Sequence, residues 1–192
     1  NRRIAGVVAD LHFAPTEHSR RNLLAEGVPA GRIIVTGNTV IDALNVITQR
    51  PAPAETAQML ERLGVSSGAR ELLLVTAHRR ENFGRPLEDI CAALKILAET
   101  YADRVQIVYP VHLNPNVQEP VYRLLGGIPN ITLLPPLDYL PMVHLQRRAR
   151  LVLTDSGGIQ EEATALKKPT LVLRDVTERP EGVEAGVLRL VG

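Results

Sequence analysis

The stretch from Leu151 to Arg179, LVLTDSGGIQEEATALKKPTLVLRDVTER, decides the fold of this chain. An apolar run (Leu151, Val152, Leu153) meets Asp155-Ser156-Gly157-Gly158. A helical pattern continues to Leu166, and a second apolar run (Leu171, Val172, Leu173) ends in charges. That order reads as strand, tight turn, helix, strand, with Pro169 closing the crossover. A helix starting at a small-residue turn offers unpaired backbone N–H groups and a partial positive charge, so the turn reads as a seat for phosphate. Gly157 and Gly158 let an anion approach the backbone, and Ser156 adds a hydroxyl as cap or ligand. Glu162, one helical turn beyond Gly158, is placed to accept hydrogen bonds from both hydroxyls of a ribose. The plainer alternative is a glycine turn followed by a solvated helix charge; Glu162 and the downstream charges favour a nucleotide.

Working outward, the same alternation recurs. Leu72 to Thr76 is a continuous apolar strand. Pro86 starts a helix with Leu87, Ile90, Cys91, Leu94, Leu97 and Tyr101 on its apolar side, and Val105 to Tyr109 is the next strand. Val117, Val121, Leu124 and Leu125 mark a helix, Ile131 to Leu134 a strand, Leu140 to Ala149 a helix, and Val187 to Val191 a last strand. Strands apolar on both faces, alternating with amphipathic helices, predict an α/β fold with a doubly wound, Rossmann-like parallel sheet from residue 55 onward. Upstream, Val7 to Ala9 and His12 to Ala14 read as short extended pieces. Pro15-Thr16 opens a helix carrying Leu23 and Leu24, and Arg32 to Thr36 is a strand. Gly37-Asn38-Thr39 leads into a helix with Val40, Leu44 and Ile47, where capping by Thr39 is the simpler role. Residues 49–54 (QRPAPA) read as a linker between a first-domain remnant (1–48) and the domain from 55 to 192. The next helix, with Met59, Leu60 and Leu63, ends at Gly64 to Gly68.

Composition narrows the function. The 192 residues are 45% hydrophobic with a formal net charge of +1, and Lys and Arg are scattered, which gives no support for a nucleic-acid partner. No apolar run reaches the about 20 residues that span a bilayer, and no signal-peptide pattern opens the chain, so no membrane partner and a cytoplasmic location are expected. The single cysteine, Cys91, lies on an apolar helix face and reads as a buried thiol rather than a nucleophile. Both ends, Asn1 and Gly192, read as cut from something longer. No metal-ligand spacing, G-x-G-x-x-G fingerprint or P-loop lysine is present, so no metal, NAD or other cofactor is expected.

Ligands of such sheets sit beyond the carboxyl ends of the strands. The loops there are Ala77 to Gly84, Pro110 to Pro115, Pro135 to Tyr139, Asp155 to Gly158 and Arg174 to Pro180. His78-Arg79-Arg80-Glu81-Asn82 is the densest cluster, able to turn a guanidinium toward a diphosphate or to pair internally through Glu81. His112 stands at the corresponding end of the next strand, where a hydrogen-bonded structural role is the commoner one. Arg179 either closes over phosphates or forms a surface ion pair. Tyr139 and Met142 flank a Pro-Pro-Leu loop that suits either a flat base or packing.

The segments ADLHFAPTE (9–17), GNTVIDAL (37–44), HRRENFG (78–84), YPVHLNPNV (109–117), LPPLDYLPMV (134–143), TDSGGIQEEA (154–163) and RDVTERPEGVEAG (174–186) together resemble the non-hydrolysing UDP-N-acetylglucosamine 2-epimerases over nearly the whole chain. The resemblance implies one half of a two-domain, glycosyltransferase-B arrangement with the active site in the interdomain cleft, acting as a homodimer. It implies interconversion of UDP-N-acetylglucosamine and UDP-N-acetylmannosamine by elimination and re-addition of UDP. On matching positions, Ser156, Gly157 and Gly158 hold the diphosphate, Glu162 the ribose and Arg179 the phosphates, while His78 assists the departing UDP. Arg79 and His112 fall on motifs that contact a second, activating UDP-sugar. The family's acid/base carboxylates lie upstream of Asn1, and helices that normally follow Gly192 are absent, so this chain by itself is expected to be inactive. A sugar-nucleotide-dependent glycosyltransferase of the same architecture, or a non-catalytic UDP-sugar-binding module, are the alternatives.

Overall fold

The computed structural model describes residues 2–65 and 68–192. Two compact units divide the chain, Asn1–Val46 and Ile47–Gly192.

The first unit carries α1 (Arg2–Val8), β1 (His12–Ala14), α2 (Glu17–Ala25), β2 (Ile33–Val35) and the start of α3 (Thr39–Thr48). β1 and β2 pair in parallel, with His12 opposite Ile33 and Ala14 opposite Val35. Thr16 caps α2 by accepting from the Ser19 amide at 3.1 Å. Two expectations are corrected here. Val7 and Val8 belong to a helix, not an extended piece, because local helical bonding, seen in the Ala9 amide donating to the Ala5 carbonyl at 3.0 Å, outweighs the strand preference of a β-branched pair. The residue capping α3 is Asn38 rather than Thr39: its side-chain oxygen accepts from the Val40 amide at 3.1 Å.

The second unit carries α4 (Ala54–Arg62), β3 (Glu71–Thr76), α5 (Arg85–Thr100), β4 (Val105–Pro110), α6 (Pro115–Leu125), β5 (Ile131–Leu134), α7 (Tyr139–Arg148), β6 (Leu151–Thr154), α8 (Gly157–Ala165), β7 (Thr170–Val172), α9 (Pro180–Glu184) and β8 (Leu188–Leu190). Residues 66 and 67 of the turn expected at Gly64 to Gly68 lie outside the described residues. All six strands run parallel in the order β5-β4-β3-β6-β7-β8. The fold is α/β with a doubly wound, Rossmann-like parallel sheet.

Period-two alternation explains how one sheet serves two cores. Leu73, Val75, Ile107, Tyr109 and Leu153 join Leu87, Cys91 and Leu94 of α5 and Val117, Val121 and Leu125 of α6 in one cluster. Leu72, Leu74, Val108 and Val152 meet Leu60 of α4, Leu145 of α7 and Ala163 of α8 in the other. Burying each such side chain contributes about 1.5–3 kcal/mol. Within the first cluster, burial pushes the Cys91 thiol up to about 11, an inert packing group. Among the described residues no helix is long and apolar enough to cross a membrane.

The strand order reverses between β3 and β6, which are neighbours in space although the sequence leaves β3 toward β4. Such a switch point opens a crevice at the carboxyl ends of the two strands. Thr76 and Thr154, the last residues of β3 and β6, share a buried hydroxyl–hydroxyl bond of 2.6 Å there. The loops leaving this point are His78-Arg79-Arg80-Glu81-Asn82 and Asp155-Ser156-Gly157-Gly158.

Candidate functional site

Asp155, the residue immediately after β6, is fully buried (0% exposed) and organises the switch point. Its Oδ2 accepts from the backbone amides of His78 and Arg79, each at 2.8 Å, and from the side-chain amide of Asn82 at 3.0 Å. Asn82 also donates to the Leu173 carbonyl at 3.2 Å, which ties the loop after β3 to the end of β7. Tyr109 anchors the same loop from beneath, its hydroxyl donating to the Ala77 carbonyl at 2.7 Å. A carboxylate oxygen that takes three donors is held in one position, and the loop it clamps is held with it.

His78 is presented from that clamped backbone. Its Nδ1 lies 3.6 Å from Asp155 Oδ1, and its ring stacks on His112 with centroids 5.2 Å apart and planes 12° from parallel. Burial lowers the His78 pKa, Asp155 opposes that, and His112 and Arg79 add to it, so the ring favours the neutral form. His112 Nδ1 in turn accepts from the Asn114 amide at 3.1 Å, which fixes its ring against the turn into α6. The structure thus gives His112 the hydrogen-bonded loop position and also a place beside His78.

The start of α8 is where the two glycines stand. Neither Gly157 nor Gly158 has a positive φ, so the backbone conformation of the turn does not demand glycine. Packing does not demand it either. A Cβ on Gly157 would meet nothing nearer than the Arg179 guanidinium at 3.5 Å and the Arg79 guanidinium at 3.6 Å, and one on Gly158 would meet only the Ser156 hydroxyl at 4.0 Å. Two cations therefore converge over a bare helix N-terminus. Ser156 is the N-cap residue, yet its side chain makes no capping bond, so the first amides of α8 remain available. The Ser156 amide itself is satisfied by Thr154 Oγ1 at 2.9 Å.

Arg179 reaches this place because the loop after β7 is fastened to α8. Thr177 Oγ1 donates to Gln160 Oε1 at 2.6 Å and accepts from the Arg179 amide at 3.1 Å, and Arg179 Nε donates to the Glu161 carboxylate. Arg174, 7% exposed, bonds to Glu81 on one side and to Glu178 at 2.7 Å on the other, bracing the loops after β3 and β7 against each other. Arg174 holds the Glu178 carboxyl down at about 2. Arg79 Nη1 lies 3.7 Å from the same Glu178. The internal pairing weighed from the sequence is thus real, but Glu81 pairs with Arg174 rather than with its loop neighbours.

Glu162, farther along α8, is bonded to α7. It is 7% exposed, accepts from Gln146 Nε2 at 2.6 Å, and has the Tyr139 hydroxyl within hydrogen-bonding reach. Burial raises its pKa, while Gln146 and Tyr139 pull it back down. A buried carboxylate steered by an amide and a phenol is an oriented acceptor, not a solvated helix charge. Met142 packs against the core cluster beneath.

The structure brings His78, Arg79, Ser156, Gly157, Gly158 and Arg179 to one switch point and sets His112 against His78 and Glu162 farther along α8. Sequence reasoning gave no role of their own to Asp155, Asn82, Arg174, Thr177 and Gln146, which hold these groups in place. Asp155 alone carried a readable signal, an acidic residue directly after a buried strand. Among the described residues no group of three or more His, Cys, Asp or Glu side chains is arranged to hold a metal ion.

The chain matches, over residues 1–192, the family model described as UDP-N-acetylglucosamine 2-epimerase. It is 60% identical over 195 residues to a probable UDP-N-acetylglucosamine 2-epimerase of Ralstonia nicotianae, covering 100% of this chain and 52% of that protein. The crystal structure of UDP-GlcNAc 2-epimerase from Neisseria meningitidis bound to UDP-GlcNAc matches with a TM-score of 0.93 at 47% identity, covering 100% of this chain and 52% of that one. An S. aureus MnaA–UDP co-structure matches with a TM-score of 0.89 at 44% identity, covering 100% of this chain and 49% of that one. The chain spans about half the length of the curated relatives it matches. With the family model matched along all 192 residues, the chain belongs to the UDP-N-acetylglucosamine 2-epimerase family.

Proposed function

We propose that this chain supplies the nucleotide-gripping half of an enzyme that interconverts UDP-N-acetylglucosamine and UDP-N-acetylmannosamine through elimination and re-addition of UDP. One observation carries the reading: two guanidiniums, Arg79 and Arg179, converge over the uncapped N-terminus of α8 at Gly157, a residue that neither backbone conformation nor packing requires to be glycine. Family membership and the UDP-containing relatives support it.

In this reading Ser156, Gly157 and Gly158 seat the diphosphate, Arg179 neutralises it, and Glu162 accepts from the ribose hydroxyls. His78 donates a hydrogen bond to UDP as negative charge gathers on it, the point at which a fixed positive environment lowers the barrier. Arg79 and His112 adjoin this seat, a position suited to a second UDP-sugar. The groups that move the C2 proton are carboxylates of the first domain, of which residues 1–48 form the last part before the 49–54 linker. The complete enzyme is a homodimer, as the resemblance implies, and cytoplasmic. This chain alone binds UDP and does not epimerise.

The test is incubation of protein of the relatives' full length with UDP-N-acetylglucosamine in deuterated water. An epimerase places deuterium at C2 of the sugar. A glycosyltransferase of the same architecture leaves C2 protonated, and that result rejects the reading.

A further inference from the structure

Asp155 is fully buried and its two oxygens are used unequally. Oδ2 takes three donors, whereas Oδ1 has no hydrogen-bond partner and is shielded from solvent. An unpaired buried carboxylate oxygen costs free energy unless a donor completes it. The donor facing it is His78 Nδ1, 3.6 Å away, and a ring displacement of under about 1 Å would bring the pair to ordinary hydrogen-bond length.

We propose that Asp155 is the positioning residue of the leaving-group end of the site: Oδ2 holds the His78–Arg79 backbone, Oδ1 takes the imidazole Nδ1–H, and Nε2 is thereby the ring nitrogen presented to a diphosphate. The proposal rests on the UDP reading of this site and deepens it. The charged and titratable groups facing His78 are Asp155 from the end of β6, His112 from the end of β4 and Arg79 from its own loop. Burial, His112 and Arg79 all oppose an imidazolium, and Asp155 is the one group that favours it. A diphosphate arriving at Nε2 adds a second negative neighbour, so the ring takes up a proton as the ligand binds. It then donates Nε2–H to the departing UDP while its charge is shared with Asp155. Asp155 itself forms no bond to the substrate.

Nitrogen-15 spectra of the histidine rings in the 192-residue chain test this, with His78 assigned by comparison with His78→Gln. The neutral His78 ring is expected to carry its proton on Nδ1, and UDP is expected to raise the pH midpoint of its titration. In Asp155→Asn the amide oxygen can replace Oδ2 and keep the three bonds, while the NH2 group takes the place of Oδ1 and donates to Nδ1. The ring proton then moves to Nε2 and the midpoint falls by about one pH unit. A purely structural Asp155 would lower the melting temperature without moving the tautomer. An Nε2-protonated wild-type ring, which needs no variant to observe, overturns the proposal, as does an Asp155→Asn ring that titrates like wild type. Should the Nδ1 tautomer and its loss in Asp155→Asn be seen with no response to UDP, the pairing stands and the UDP reading falls.

Discussion

The turn from β2 into α3 and the turn from β6 into α8 are assembled from the same pieces: a short apolar strand, polar residues beside glycine, and a helix start. In the first, Asn38 spends its side chain on the Val40 amide, and Gly37 sits at a φ of 76° that only glycine adopts freely. In the second, Asp155 reaches back to the loop after β3 and Ser156 caps nothing, while Gly157 and Gly158 keep ordinary backbone angles. The first turn uses its polar groups and its glycine to make a turn. The second turns its polar groups to a neighbouring loop and leaves the start of α8 without a side-chain cap, beneath the Arg79 and Arg179 guanidiniums. In the proposed reading, what distinguishes a binding turn from a structural one is where its polar groups are directed, not which residues it contains.

Asp155→Ala should break this contrast most severely. It strands the His78 and Arg79 amides and Asn82 without their acceptor, and denaturant unfolding should report a loss of roughly 3–5 kcal/mol from the second unit. Next comes Glu162→Ala, which should weaken UDP binding by roughly 1–3 kcal/mol; unchanged affinity by calorimetry rejects the ribose role. Glu162 also predicts a pH dependence. Its carboxyl is raised by burial, so the stability it contributes is complete below the unfolded pKa, about 4.3, and is lost as pH rises through the higher folded value. Glu162→Gln should accordingly melt at a higher temperature than wild type near pH 8, with the advantage gone below pH about 4.

The two turns should also separate under cap removal. Asn38→Ala deletes a made bond and should cost about 1 kcal/mol, whereas Ser156→Ala should change stability by no more than a few tenths of a kcal/mol while weakening UDP binding. Opposite in sign, Gly157→Ala should stabilise the fold by about 0.5–1 kcal/mol, since alanine suits a helix better, yet reduce UDP affinity by filling the space under Arg79 and Arg179. A destabilised Gly157→Ala chain would show that the glycine is there for the backbone after all.

Much of the fold was legible because burial on both faces writes itself into sequence. The runs at Leu72, Val105, Ile131 and Leu151 marked β3, β4, β5 and β6 to within a residue or two. Val7 and Val8 misled because a β-branched pair in a short helix carries the same letters as a strand. Ser156, Gly157, Gly158 and Glu162 were legible as a group because they lie within seven consecutive residues at helical spacing. Arg174 was not, since its partner Glu81 is 93 residues away and nothing local links them. Asp155 was seen as a loop residue, but its importance comes from donors on the loop after β3, a strand that is its neighbour only through the switch in strand order. Chain-distant contacts of that kind leave no periodicity to read.

The central claim is that the β6–α8 turn is a diphosphate seat, and calorimetric titration of the 192-residue chain with UDP and with uridine tests it most directly. UDP should bind at least about 100-fold tighter than uridine, a difference of roughly 2.7 kcal/mol that charge-assisted bonds from two arginines and open helix amides can supply. Equal affinities for the two ligands, or no binding of UDP, would contradict it.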